Sequence, residues 1–84
     1  MEDARSRRRR KLRQLLRAIR RERGVTQVQL AERLGVPQSV ISKYENGERQ
    51  LGFVEVLDVV HAVGMRPRTF FRRWLSSMED FEDE

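Results

Sequence analysis

Four polar side chains share one face of a short predicted helix in the middle of the chain: Gln38, Ser39, Ser42 and Lys43. Their spacing (i, i+1, i+4, i+5) places them side by side on a helix surface. Gln forms two hydrogen bonds with adenine, Ser bonds to several base edges, and Lys reaches guanine or phosphate. The pattern is therefore typical of a helix that reads base edges in the groove of a DNA duplex.

The other face of this helix is apolar. Ile41 and Tyr44 recur at helical spacing and predict a buried stripe that holds the polar face outward. Val40 stands between the two faces and either packs inward or touches a thymine methyl group. Pro37 suits the first turn of the helix, where a missing N–H is harmless. We therefore predict a helix over residues 38–46.

Another short helix is predicted over residues 27–34, immediately before the helix over residues 38–46. Thr26 can cap it, with Gln29 returning the hydrogen bond as in a capping box. Leu30 and Leu34 then recur at helical spacing, and Gly35 stands where a glycine ends a helix with positive φ. The two helices and their turn form one unit.

This unit resembles the helix-turn-helix of the Cro/C1-type repressors, the xenobiotic-response-element family. The matching residues are Thr26, Gln27, Leu30, Ala31, Gly35, Val36, Ile41, Ser42, Glu45, Asn46 and Gly47. The resemblance implies an all-α, compact five-helix, lambda-repressor-like domain in which helices 2 and 3 form the motif. It implies a sequence-specific regulator of transcription that binds double-stranded DNA, with a repressor as the favoured role. Pro37 departs from the capping Ser that is frequent in the family.

The resemblance also implies phosphate contacts by Thr26, Gln27, Asn46 and Arg49 around the base-reading helix. The physical reason is general, because a helix N-terminus presents free N–H groups and partial positive charge to an anion. Arg49 stands in a G-x-R loop after the second helix, where a basic residue meets the DNA backbone. Glu45 and Glu48 would repel phosphate, so we expect them to point away or to pair with arginines.

Charge is distributed unevenly along the 84 residues. Residues 1–23 carry eleven basic and three acidic side chains, whereas residues 76–84 carry five acids and no base. Such a cationic segment favours a polyanionic partner. We expect residues 1–10 to form a flexible basic arm. Three roles are open for its basic run: it binds DNA, it is a solvated extension of helix 1, or it is a localisation signal. The densest basic run is Arg7, Arg8, Arg9, Arg10 and Lys11.

Length and composition indicate one domain, over residues 11–76, followed by an acidic tail at residues 77–84. A chain this small buries only about 60% of its unfolded surface, and it has no Cys for disulfides or thiolate metal sites. Dimerisation is therefore an expected source of extra stability. The sequence contains no long apolar run, so it predicts neither a membrane span nor a secretory leader. We therefore expect a cytoplasmic, nucleoid-associated protein with no membrane partner.

Three further helices complete the predicted fold. Helix 1 (residues 8–23) buries Leu12, Leu15, Leu16 and Ile19, while Arg13, Arg17, Arg20 and Arg21 occupy its surface. Helix 4 (residues 53–63) buries Phe53, Val56, Leu57, Val60 and Val63. Helix 5 begins near Pro67 and carries two aromatic faces. One face closes the core. The other either only fills the core as well or also forms a homodimer contact, through Phe71, Trp74 and Leu75.

Catalytic and metal-binding patterns are missing from the sequence. His61 is the only histidine and has no Cys or second His beside it, so we expect a surface side chain rather than a metal ligand. Asp58 stands three residues before it, but no nucleophile accompanies the pair. We predict no enzyme activity and no cofactor. The rival hypothesis is a protein-interaction module, such as an antitoxin or accessory factor whose main partner is another protein.

Overall fold

The computed structural model describes residues 2–78, which form five α-helices and no strand within that range. The helices are α1 (Ala4–Glu22), α2 (Gln27–Leu34), α3 (Gln38–Glu45), α4 (Phe53–Ala62) and α5 (Pro67–Ser77). The predicted all-α, five-helix architecture is confirmed. Residues 79–84, most of the predicted acidic tail, lie outside the described residues. No helix in the described part of the chain is long and apolar enough to cross a membrane.

One apolar core joins all five helices. Its fully buried side chains are Leu16, Ile19, Leu30, Ile41, Tyr44, Val59, Val60 and Phe70. Leu12, Leu15, Leu34 and Trp74 are half-buried and pack against them. Helix α2 packs on both α3 and α4, and α1 packs on α3 and α5. This arrangement leaves the outer face of α3 uncovered.

Helix α2 begins and ends as the sequence predicts. Thr26 Oγ1 accepts the Gln29 N–H at 3.0 Å, and Gln29 Oε1 accepts the Thr26 N–H at 2.9 Å, which completes the capping box. Gly35 ends α2 with a φ of 68°, a left-handed conformation that is costly for other residues. Pro37 lies one position earlier than predicted: it is the N-cap of α3 and makes no side-chain capping bond.

Several arginines serve the fold rather than a ligand. Arg33 donates to the Ala62 carbonyl at 2.8 Å, and Arg23 donates to the Gly64 carbonyl at 3.1 Å. Both bonds satisfy carbonyls at or just beyond the end of α4 that the helix leaves without partners. Arg73 pairs with Glu22 through two bonds of 2.6 and 3.0 Å and ties α5 to α1.

Three predictions about this fold were wrong. Helix α1 begins at Ala4 instead of near Arg8, which agrees with the helix-extension alternative for the basic run, and Asp3 caps it by accepting the Ser6 N–H at 2.8 Å. Phe53 is 65% exposed rather than buried, since it occupies the first turn of α4 beyond the edge of the core. Arg20 is buried rather than on the surface. Three buried apolar residues, Val25, Val59 and Met78, were absent from the predicted core.

Candidate nucleic-acid interface

The outer face of α3 carries the four predicted base-reading residues. Gln38, Ser39 and Lys43 are exposed and Ser42 is half-buried, whereas Ile41, Tyr44 and Glu45 on the opposite face are buried. Val40 is half-buried, so it lies at the boundary between the two faces. The buried face fixes the helix on the core, and the polar face is therefore presented to solvent on a rigid element.

A buried ion pair lies directly beneath this face. Arg20 of α1 donates to Glu45 of α3 through Nε at 2.8 Å and Nη2 at 3.0 Å, and its Nη1 donates to the Val25 carbonyl at 2.8 Å. The two side chains are 8% and 1% exposed. The hydrogen bonds to Glu45 raise the pKa of Arg20 above its ordinary value. A bidentate pair of this kind fixes α3 to α1 at the end of the helix.

The ion pair also positions two residues of the predicted site. Glu45 Oε1 accepts a bond from Gln27 Nε2 at 2.9 Å, and Gln27 Oε1 accepts one from Gln38 Nε2 at 3.4 Å. A chain of hydrogen bonds therefore runs from the buried Arg20 to the exposed amide of Gln38. The first turn of α2 and the first turn of α3 are joined by side chains as well as by the backbone turn.

The sequence did not predict that the Arg20–Glu45 pair is buried. Glu45 was expected to point away from DNA or to pair with arginines, and the pairing is confirmed, but Arg20 was expected on the surface. A signal was present in the spacing. Arg20 stands one turn after the buried Leu16, and Glu45 stands one turn after the buried Ile41. Each charge therefore continues an apolar stripe, where only a paired charge is tolerated.

The N-terminus of α2 lies beside the polar face of α3. The capping box satisfies the N–H groups of Thr26 and Gln29. The N–H groups of Gln27 and Val28 have no partner within the helix, as in the first turn of any α-helix. Together with the helix dipole, they form a place suited to a phosphate oxygen.

The remaining predicted phosphate contacts lie at the other end of α3. Asn46 is exposed, and its backbone N–H closes the helix on the Ser42 carbonyl. Arg49 is half-exposed, with its Nη2 4.0 Å from Glu55 Oε2. An exposed pair at that distance contributes about 0–1 kcal/mol, so Arg49 can exchange this carboxylate for a phosphate at little cost.

The predicted basic run lies on the first half of α1 and is partly engaged with the protein itself. Arg10 pairs with Glu2 at 2.7 Å, and Lys11 Nζ donates to the Ser77 carbonyl at 3.3 Å. Arg9 is exposed, whereas Arg7 and Arg8 are half-buried. The run therefore forms a cationic helical surface instead of a separate arm.

An apolar patch lies on α4 and α5, away from α3. Phe53 and Phe71 stack with ring centroids 6.1 Å apart, and Leu75 follows Phe71 by one helical turn. Phe71 and Leu75 are exposed, while Trp74 is half-buried against the core. We call Phe53, Phe71 and Leu75 the α4–α5 patch. It contains two of the three predicted dimer residues, and Phe53 joins them.

Potential metal ligands are not clustered within the described residues. No group of three or more potential metal ligands occurs there. His61 is exposed on α4, as predicted.

Comparisons with known proteins identify the fold. The sequence profile described as Helix-turn-helix matches residues 16–70. The chain belongs to the Cro/C1-type helix-turn-helix family. An XRE-family like protein from Pseudomonas syringae pv. tomato str. DC3000 is 38% identical, with a TM-score of 0.77, over 83% of this chain and 85% of that one. The family and its fold are those of DNA-binding regulators of transcription.

A restriction-modification controller protein, C.Esp1396I, shares the fold at 22% identity and a TM-score of 0.80, over 92% of this chain and 97% of that one. The same controller has also been solved as a tetramer in complex with its natural 35 base-pair operator. A chain of that complex matches at 23% identity and a TM-score of 0.77, over 89% of this chain and 95% of that one. No curated protein matches the chain.

Proposed function

We propose that this protein is a transcription regulator that inserts α3 into the major groove of double-stranded DNA. The observation that carries the proposal is the division of α3. Its buried face is fixed by Ile41, Tyr44 and the Arg20–Glu45 pair, while Gln38, Ser39, Ser42 and Lys43 form the opposite face. These side-chain types can each bond to base edges, and they stand on a rigid helix that fits the groove.

Phosphate contacts would flank the groove at both ends of α3. At one end lie Gln27 and the N-terminus of α2; at the other lie Asn46 and Arg49. Gln27 is held by Glu45 and in turn contacts Gln38, so a phosphate bound at Gln27 would also orient a base-reading amide. Backbone contacts of this kind set the register of a protein on DNA but carry no sequence information.

The cationic surface of α1 would add general attraction to the polyanion. Log affinity falls as log salt concentration rises, and each phosphate neutralised makes this slope steeper by about 0.9. The charge of Arg7, Arg8 and Arg9 would therefore raise affinity for all sequences alike. A DNA-binding protein of this kind acts where the chromosome is, so we place it at the nucleoid in the cytoplasm.

We further propose that two copies associate through the α4–α5 patch. Exposed stacked aromatics beside Leu75 form the kind of apolar surface that marks an interface. A two-fold dimer would present two α3 helices to half-sites about 34–36 Å apart on a near-palindrome. Binding to such a site would block access to a promoter that contains it, which favours repression.

The oligomeric state can be measured by sedimentation equilibrium. Leu75→Arg should convert the dimer into a monomer, because it places a charge in the apolar patch. Val28→Arg is the matched control, since Val28 is also an exposed apolar residue but lies on α2. A parent chain that sediments as a monomer at all concentrations would refute the dimer.

DNA binding is tested by selecting fragments from a genomic library on the purified chain at physiological salt. We expect enrichment of a small set of fragments that share a near-palindrome. Recovery of fragments in proportion to their abundance would contradict sequence-specific binding. Selective capture of one protein from the same cells, without DNA enrichment, would favour the protein-interaction alternative.

A further inference from the structure

The described part of the chain ends beside the basic half of α1. Lys11 Nζ donates a hydrogen bond to the Ser77 carbonyl at 3.3 Å, which joins α1 to the last residue of α5. Met78 follows and is 3% exposed, and its N–H bonds to the Leu75 carbonyl at 3.1 Å. The chain therefore continues beyond Met78 from a fixed point next to Lys11.

One basic stripe of α1 is turned toward this point. Arg7 and Arg8 precede Lys11 by one helical turn, so the three side chains share one side of the helix. Leu15 continues the stripe by a further turn and lines a groove together with Ser77. We call Arg7, Arg8 and Lys11 the α5-side stripe.

The opposite side of α1 faces the loop between α3 and α4. Arg9 and Arg13 stand there, one turn apart, and line a cleft together with Arg49 of the loop. Arg49 is a proposed contact to the DNA backbone. The α5-side stripe is therefore separate from the side of α1 that lies nearest to that contact.

The segment after Met78 is strongly acidic. Residues 79–84, which lie outside the described residues, have the sequence EDFEDE, with five carboxylates and no base. Residues 5–11 have the sequence RSRRRRK, with six bases and no acid. Opposite charges at a protein surface attract each other within the Debye length, about 10 Å at 0.1 M salt. The two segments are therefore complementary in charge.

The two segments are also within reach of each other. An extended residue spans at most about 3.6 Å, so six residues reach roughly 20 Å from Met78. Arg7 lies four residues before Lys11, a distance of about 6 Å along the helix axis. A contact within one chain has an effective concentration on the order of millimolar, so several weak surface ion pairs together suffice to hold it.

We propose that residues 79–84 bind along the α5-side stripe of their own chain, with their carboxylates paired to its three bases. The chain then neutralises this stripe itself, and DNA of any sequence must displace residues 79–84 to use it. Arg9 and Arg13 stay available beside Arg49. The acidic segment would therefore suppress non-specific DNA binding more than binding to a preferred site. This consequence for DNA rests on the proposed function, whereas the contact between residues 79–84 and α1 does not.

The contact is tested by paramagnetic broadening of amide NMR signals in the full chain. The sequence has no Cys, so Glu84→Cys gives a single site for a nitroxide label. The control carries the same label and replaces the other four acids of residues 79–84 by the matching amides, which keeps the length and removes the charge. We expect much stronger broadening at Arg7 and Arg8 in the acidic chain than in the control. The difference should vanish at 1 M salt, where the Debye length is about 3 Å.

Two results of this experiment would overturn the proposal. Equal broadening in the two labelled chains at low salt would show that the carboxylates do not hold the segment on α1. The second result comes from an isotope-labelled chain mixed with a nitroxide-labelled chain that carries no isotope. Broadening that arises only between chains would assign the segment to a second copy instead of its own α1.

Competition with DNA is measured by fluorescence anisotropy with a scrambled duplex. Replacing all five acids of residues 79–84 by amides should steepen the salt slope by up to about 2.7, which is about 0.9 for each of the three bases released. The matched background replaces Arg7, Arg8 and Lys11 by Gln, and there the same change should leave the slope nearly unaltered. Circular dichroism checks that each variant keeps its helices. Equal steepening in both backgrounds would indicate general repulsion by the acids and would refute binding to this stripe.

Failure of the contact and failure of the proposed function give different results. If the broadening differs between the labelled chains but the chain binds no DNA, the contact stands and the proposed function fails. If the chain binds DNA but the two labelled chains broaden alike, the proposed function stands and the contact is refuted.

Discussion

The buried ion pair between Arg20 and Glu45 gives the sharpest prediction about stability. Glu45→Gln keeps the size of the side chain but removes the charge that compensates Arg20. The Arg20 guanidinium would then be an unpaired cation in a site where it is 8% exposed. Breaking a buried pair from one side costs about 3–5 kcal/mol, which is a large share of the roughly 5–15 kcal/mol that stabilises a domain.

The assay is thermal unfolding followed by circular dichroism, with urea unfolding as a second measure. For a domain of this length each kcal/mol shifts the melting temperature by about 4–8 °C. We therefore expect Glu45→Gln to melt at least about 12 °C lower than the parent chain. Glu48→Gln removes the same charge from the exposed loop and serves as the control, with an expected change within about 0.5 kcal/mol.

The double variant Arg20→Met with Glu45→Leu separates stability from recognition. Replacing both charges by apolar side chains is often neutral or stabilising, so it should recover most of the lost melting temperature. It should not recover DNA affinity, because Gln27 loses the carboxylate that orients it. If Glu45→Gln melts within about 2 °C of the parent, the ion pair is not buried in the way described and the reasoning fails.

Three smaller predictions follow from single contacts. Thr26→Ala should lower the free energy of unfolding by about 1 kcal/mol in urea titrations, because it removes the capping box of α2. Hydrogen bonds from Arg73 lower the pKa of Glu22 below its ordinary value of 4.5. The stability that this carboxylate contributes is therefore present above pH 4.5 and is lost as the pH falls further. In urea titrations, Glu22→Gln should reduce the loss of unfolding free energy between roughly pH 5 and pH 3. Replacing the exposed Arg9 by Gln should lower the salt slope of DNA binding by up to about 0.9, and an unchanged slope would exclude it from the interface.

The helix-turn-helix unit could be predicted closely because its signals are local. The Thr26–Gln29 capping box and the left-handed Gly35 depend on residues within a few positions of each other. The bounds of α2 were therefore correct, and α3 ended one residue earlier than predicted, at Glu45. The polar and apolar faces of α3 also follow from spacing alone.

Three features were missed, and only the first of them depends on distant residues. Arg20 and Glu45 are 25 positions apart, so the spacing that continues each apolar stripe does not show that these two charges pair with each other. Phe53 was assigned to the core on hydrophobicity, but its place in the first turn of α4 puts it beyond the apolar stripe. The helical start of α1 depends on one capping carboxylate, Asp3, within a strongly charged segment. Which base or phosphate each side chain contacts is still a prediction.

The central claim is that α3 discriminates between DNA sequences. The direct measurement compares the affinity of an enriched site with that of a scrambled duplex, for the parent chain and for Ser42→Ala with Lys43→Ala. We predict that the ratio of the two affinities falls by about tenfold or more, since each good base contact is worth about 1–3 kcal/mol, while affinity for the scrambled duplex changes far less. An equal loss on both duplexes would contradict the account.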